Sequence, residues 1–137
     1  MKKPSKAEFI ANFPAFDLPF PDVDPMYYDR QGKPITLAEW CYANTYEPES
    51  RTVGRDHLPN GYFVSTVWLG LDHSMGVAAK AFGLPSQPPI IFETMVFDET
   101  GDKSDLDMER YSTEAEAIAG HAEMVARWSR KKNPRFT

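Results

Sequence analysis

Apolar and polar positions alternate most clearly in two stretches, GYFVSTVWLGL at 61–71 and IIFETMVF at 90–97. The first is dense in β-branched and aromatic residues and opens on Pro59-Asn60-Gly61. Asn-Gly between β-rich runs is a strong short hairpin signal, so RTVGRDHL on the other side of that turn is the pairing strand. IIFETMVF, bounded by Pro88-Pro89 and by Asp98 to Gly101, is a further strand, and MERYS after the acidic loop DETGDKSDLD is an edge strand. Tyr27 and Tyr28 start another short strand, followed by a turn from Asp29 to Lys33 around Gly32.

Helical spacing takes over where capping-box pairs occur: Ser5 with Glu8, Thr36 with Glu39, and Thr113 with Glu116. The first helix must stop at Pro14. The second carries Leu37, Trp40 and Cys41, then Ala43 or Tyr46, at spacings that bury one face, and ends near Pro48. The third has Glu114 and Glu116 at its positive end and Arg127 and Arg130 at its negative end. Ile118, Ala122 and Val125 form its stripe, flanked by His121 and Trp128, which predicts a helix lying across a sheet. Met75 to Phe82, in the long connection, predicts at most a weak helical turn or two because of Gly76 and Gly83.

Prolines change the picture at the N-terminus. Six of the 12 lie in the first 34 residues, beside Phe9, Phe13, Phe16, Phe20, Tyr27 and Tyr28. Such a stretch sustains neither helix nor central strand, and so many aromatics are not left in water. Residues 13–26 therefore read as an irregular arm laid over the body. The division expected is an arm at 1–26, a single α+β domain at 27–130 and a basic tail at 131–137, in which SRKKNPRFT should fray. The fold class is α+β: an antiparallel sheet of about four strands, a C-terminal helix across one face, a shorter second helix and the arm.

A chain of 137 residues suits one domain, and 42% hydrophobic with 13% aromatic residues excludes disorder. One cysteine makes no internal disulfide. No apolar run approaches the roughly 20 residues that cross a bilayer, and MKKPSKAEFIANFP lacks the apolar middle of a signal peptide, so no membrane contact and a cytoplasmic location are expected. Net charge is −5, unevenly spread: residues 61–126 carry 3 basic and 11 acidic side chains, residues 127–137 carry 5 basic and none acidic. An acidic body argues against nucleic-acid binding, which needs a positive face. The basic end reads as a solvated helix terminus, with contact to phosphate or an acidic partner as the alternative. The acidic stretch 98–109 reads as a solvated loop, with phosphate mimicry as the lesser reading.

Candidate chemistry is sparse. Asp56-His57 and Asp72-His73 fall near opposite ends of the predicted hairpin, and Asp72-His73 lies where a strand opens into a glycine-containing loop, a common place for functional groups. Glu93 sits among apolar neighbours in mid-strand and needs a partner such as an arginine, a histidine or a tyrosine hydroxyl. Asp72, His73, Glu93 and His121 together are the candidate metal or acid/base cluster. The alternative is a structural network that satisfies buried donors. Their spacing matches no metal signature, and no Walker loop, GxSxG elbow or dinucleotide glycine fingerprint is present, so no cofactor is expected. Cys41 reads as a packing group, Ser65 and Thr66 as cross-strand pairing residues, Gly70 as a turn residue.

The motifs VSTVWLGLDHSMG at 64–76, PPIIFETMVF at 88–97 and ERYSTEAEAIAGHAEMV at 109–125, with the turn-and-helix segment DRQGKPITLAEW, resemble a family of small uncharacterised proteins of tailed bacteriophages and prophages. The resemblance spans roughly residues 27–126. It departs at the long connection after Asp72-His73 and at the arm before Tyr27. It implies a small accessory protein made inside an infected bacterial cell. The expected function is a protein-binding module for a host or phage protein. The alternatives are a small enzyme built on the Asp72/His73/Glu93/His121 cluster and a homo-oligomer packed through the arm.

Overall fold

In the computed structural model the described residues are 2–14, 26–74, 82–85, 87–99 and 106–135. Most of the arm expected at 13–26, most of the weak helical turn expected at Met75 to Phe82 and residues 100–105 of the acidic stretch lie outside them. In chain order the elements are helix α1 (Lys6–Ala11), strands β1 (Tyr27–Tyr28) and β2 (Pro34–Ile35), helix α2 (Leu37–Tyr46), a 3-10 turn (Pro48–Arg51), strands β3 (Thr52–His57), β4 (Tyr62–Trp68), β5 (Phe92–Asp98) and β6 (Asp107–Tyr111), and helix α3 (Glu114–Ser129).

The fold is α+β. Strands β3 to β6 form one antiparallel sheet in chain order, and β1 pairs with β2 in a two-stranded ribbon that the sequence reading had only half identified. The hairpin falls at Asn60-Gly61, with Gly61 at φ +85°. Ser65 lies opposite Arg55 on β3 and Met95 on β5, and Met95 lies opposite Met108 on β6. Since side chains alternate across a strand, Tyr62, Val64, Thr66 and Trp68 face the same way as Phe92, Thr94, Val96 and Asp98, and α3 covers that face.

The buried residues of α3 are Ala117, Met124 and Trp128, with His121 on the same side; Ile118 is 56% exposed. This corrects the predicted stripe at Ile118 and Ala122, which are exposed, while Val125 packs on the core as expected. The helix is rolled so that the flank of His121 and Trp128 is its inner face, where His121 meets the polar groups of the sheet beneath.

Helix α2 packs Trp40 and Ala43, two residues of its predicted face, against the cluster of Trp68, Ile91 and Phe92, and is covered on a second side as well. Ala38 and Tyr42 are its buried residues, since α1 packs on it through Phe9, whose ring lies 5.5 Å from Tyr42 and 5.7 Å from Tyr46. The Tyr42 hydroxyl donates to the Pro4 carbonyl at 3.0 Å, so residues 2–14 are docked on the body. The capping boxes at Ser5 and Thr36 are complete. At Thr113 the hydroxyl accepts from the Glu116 amide and donates to the Glu116 carboxylate.

The tail is held rather than frayed as far as Arg135. Asn133 is 5% exposed and donates to Asp98 at 3.3 Å. Asn60, projecting from the hairpin turn, donates to the carbonyls of Trp128 and Lys131 at the end of α3. The polar composition of this segment concealed these two ties. No helix among the described residues is long and apolar enough to cross a membrane.

Candidate functional site

The helix-side face of the sheet is not uniformly apolar. One cluster holds Leu58, Tyr62, Val64, Val96, Met124 and Trp128; the other holds Trp68, Ile91, Phe92 and Ala117. Between them runs a polar seam that crosses the sheet. Thr66 and Thr94, both fully buried and directly opposite on the two central strands, share a hydrogen bond of 2.5 Å. Thr66 Oγ1 lies 2.6 Å from His121 Nδ1, and His121 Nε2 lies 2.6 Å from Asp56 Oδ2 on β3. An ionised carboxylate only accepts, so Nε2–H donates to Asp56, and the two threonine hydroxyls, each both donor and acceptor, continue the chain from Nδ1 through Thr66 to Thr94.

Two glycines make this possible. A Cβ at Gly54 would stand 2.9 Å from His121 Nε2, and one at Gly120 would collide with the Tyr111 ring that extends the seam onto β6. The Tyr111 hydroxyl is buried beside Thr94 without a well-formed hydrogen bond. Burial pushes this phenol above its ordinary value, helped by Glu109 and Glu123 and only partly offset by Thr94 and Arg127. At the end of the same layer, Asp107 receives the Trp128 indole at 2.9 Å and Arg127 at 3.0 Å. Partial burial pushes its carboxyl up. Those two hydrogen bonds, the Met108 amide and the Arg127 charge together outweigh burial and hold it below the ordinary 3.8.

Asp56, His121 and Thr66 are the residue types of a nucleophilic triad, but Thr66 has no exposed surface and lies beneath α3. With its hydroxyl sealed from any substrate, the arrangement is a structural hydrogen-bond network that runs from the exposed Asp56 to the buried Thr66 and Thr94. Of the predicted cluster, His121 belongs to this seam. Glu93 is on the opposite face, where it accepts from Arg110 Nε at 2.9 Å, the kind of partner its setting demanded. Asp72 accepts the amides of Ser74 and Ile90 and so braces a loop, and His73 borders a cavity at the end of β4. The structure therefore does not bring the four together, and among the described residues no group of three or more His, Cys, Asp or Glu side chains could hold a metal ion.

Sequence reasoning missed Asp56 and Thr94 as members of the seam. The available signal was a threonine on the inward parity of each central strand, with a glycine in mid-strand at Gly54, which marks a close approach.

The second face of the sheet carries no described helix or strand. Phe63 and Phe97 lie opposite each other with ring centroids 5.9 Å apart, and His57 stacks on Phe63 at 4.4 Å. Val67, Met95 and Met108 continue this apolar strip, with Met108 45% exposed. Polar and charged groups border it: His57 with Glu99 at 2.5 Å, Glu93 with Arg110, and Arg55 over the Phe63 ring at 5.4 Å. Of the two arginines, Arg55 has no carboxylate partner among the described residues. No family model, curated protein or solved structure matches the chain.

Proposed function

We propose that the protein is a small protein-binding module that docks a host or phage protein on the second face of its sheet, the one away from α3. The observation that supports this most directly is the make-up of that face. An apolar centre of Phe63, Phe97, Met95, Met108 and Val67 with a charged border has the anatomy of an interface, where aromatics, Met and Arg are enriched. The occupant that fits is a protein surface offering apolar side chains, with a carboxylate set against Arg55. Nucleobases fit less well: His57, Phe63 and Phe97 stack on one another, which uses the ring faces that bases would need. The resemblance to proteins of tailed bacteriophages and prophages supports the cytoplasm of an infected bacterial cell as the setting.

A photo-crosslinking residue at position 108 tests the reading. We expect it to capture one defined partner, whose affinity, remeasured with both purified proteins, falls about tenfold or more on Phe97→Lys and on Arg55→Glu. Arg130→Glu, at the far end of α3, should leave it unchanged. Crosslinks to a second copy only, or wild-type affinity in both face variants, would overturn it.

A further inference from the structure

A cavity of about 440 Å³ opens where the end of β4 meets α2 and the loop at 69–73. That volume lies within the roughly 300–1,000 Å³ typical of small-molecule sites. Its apolar wall is made of Trp40, Trp68, Val67, Leu69 and Leu71. Both indole N–H groups are already committed, Trp40 to the Leu69 carbonyl at 2.9 Å and Trp68 to the Tyr28 carbonyl at 3.0 Å. The rings are thus fixed in place and have no donor left to offer a ligand.

The wall depends on Gly70, whose φ is +72° and where a Cβ would stand 2.5 Å from the Trp68 ring and 2.6 Å from Trp40. The adjoining loop is held by Asp72, whose Oδ1 accepts the Ser74 amide at 2.8 Å and the Ile90 amide at 2.9 Å. Asp72 is a positioning residue for its neighbour His73.

The polar side chains at the cavity are His73, Arg51 and Asn44, whose amide is committed to Arg51 and to the Trp40 carbonyl. Among the described residues the half-buried His73 ring has no hydrogen-bond partner, and the Arg51 guanidinium makes a single hydrogen bond, to Asn44 Oδ1 at 3.0 Å. Most of the guanidinium fork is free, and a planar fork matches a carboxylate. Among the described residues no acidic side chain lines the cavity.

We infer that this cavity is a binding site for a small aromatic carboxylic acid. The ring lies against Trp40, beside the buried Trp68, the carboxylate takes the free donors of Arg51, and His73 supplies a further N–H. This site shares Val67 with the edge of the proposed docking face, but its aromatic wall and its donors, Trp40, Arg51 and His73, lie outside that face and it does not depend on that reading.

Phenylacetate, with uncharged phenylacetamide as comparator, is the probe. Titration of the full-length protein is followed through the indole N–H resonances of its 3 tryptophans. We expect saturable shifts at Trp40 and Trp68 with Trp128 unmoved, and about tenfold weaker binding of the amide. Arg51 is exposed, so Arg51→Gln should leave the fold intact, weaken phenylacetate by a similar factor and leave phenylacetamide unchanged. No saturable shift, equal affinity for acid and amide, parallel shifts at all three indoles, or full phenylacetate affinity in Arg51→Gln would each overturn the assignment.

Discussion

Thr66 carries one hydroxyl, yet two other groups depend on it. Thr66→Val keeps the shape but leaves the Thr94 hydroxyl and His121 Nδ1 without their partner inside the protein. We expect a loss of about 1–3 kcal/mol in urea unfolding, the usual cost of orphaned buried polar groups. A neutral result would mean that the seam contributes no net stability. Arg110→Ala should destabilise more than Glu93→Gln, because it strands a carboxylate with only 10% of its side chain exposed. Gly70→Ala forces a side chain into both a left-handed backbone and two indoles, and the thermal midpoint should fall sharply. Glu93 was legible as a residue in need of a partner because a lone charge in an apolar strand violates a simple rule. Asp56 was not, since an exposed aspartate at a strand end violates none.

Among the elements, α3 shows where periodicity fails. The strands and the Asn-Gly hairpin were readable because alternation and turn chemistry are local. The roll of α3 was not, because Ile118 outranks His121 on any apolar scale, and only the threonines of β4 and β5 explain why the histidine faces inward. The contact of α3 with β6 has a pH signature. Asp107 titrates below 3.8 in the folded state, so its contribution is present above that value and disappears as pH falls through the folded one. Stability of Asp107→Asn should accordingly fall less steeply with acid than that of the wild type, read from urea midpoints across the acid range. Tyr111 has the opposite sign of dependence. Its folded value lies above 10.0, so its contribution holds below 10.0 and is lost as pH rises beyond it, and Tyr111→Phe should blunt the alkaline decline.

For the molecule as a whole, the α+β architecture followed from patterns within single segments, whereas the ties between segments did not. The tail illustrates this: nothing in SRKKNPRFT announces that Asn133 reaches Asp98 or that Asn60 caps the end of α3 at Lys131. Truncation after Arg130 should lower the thermal midpoint measurably, while charge reversal at Lys132, which is exposed, should not. The polar seam also bears on strand registration. Were β4 to slide by two residues along β5, every side chain would keep its face and the apolar clusters could re-form, so hydrophobic burial alone discriminates weakly against that error. Thr66 would then oppose Phe92 or Val96 instead of Thr94, and the two hydroxyls and His121 Nδ1 would lose one another as partners. The seam thus acts as an alignment key, penalising the mispaired sheet more than it favours the native one.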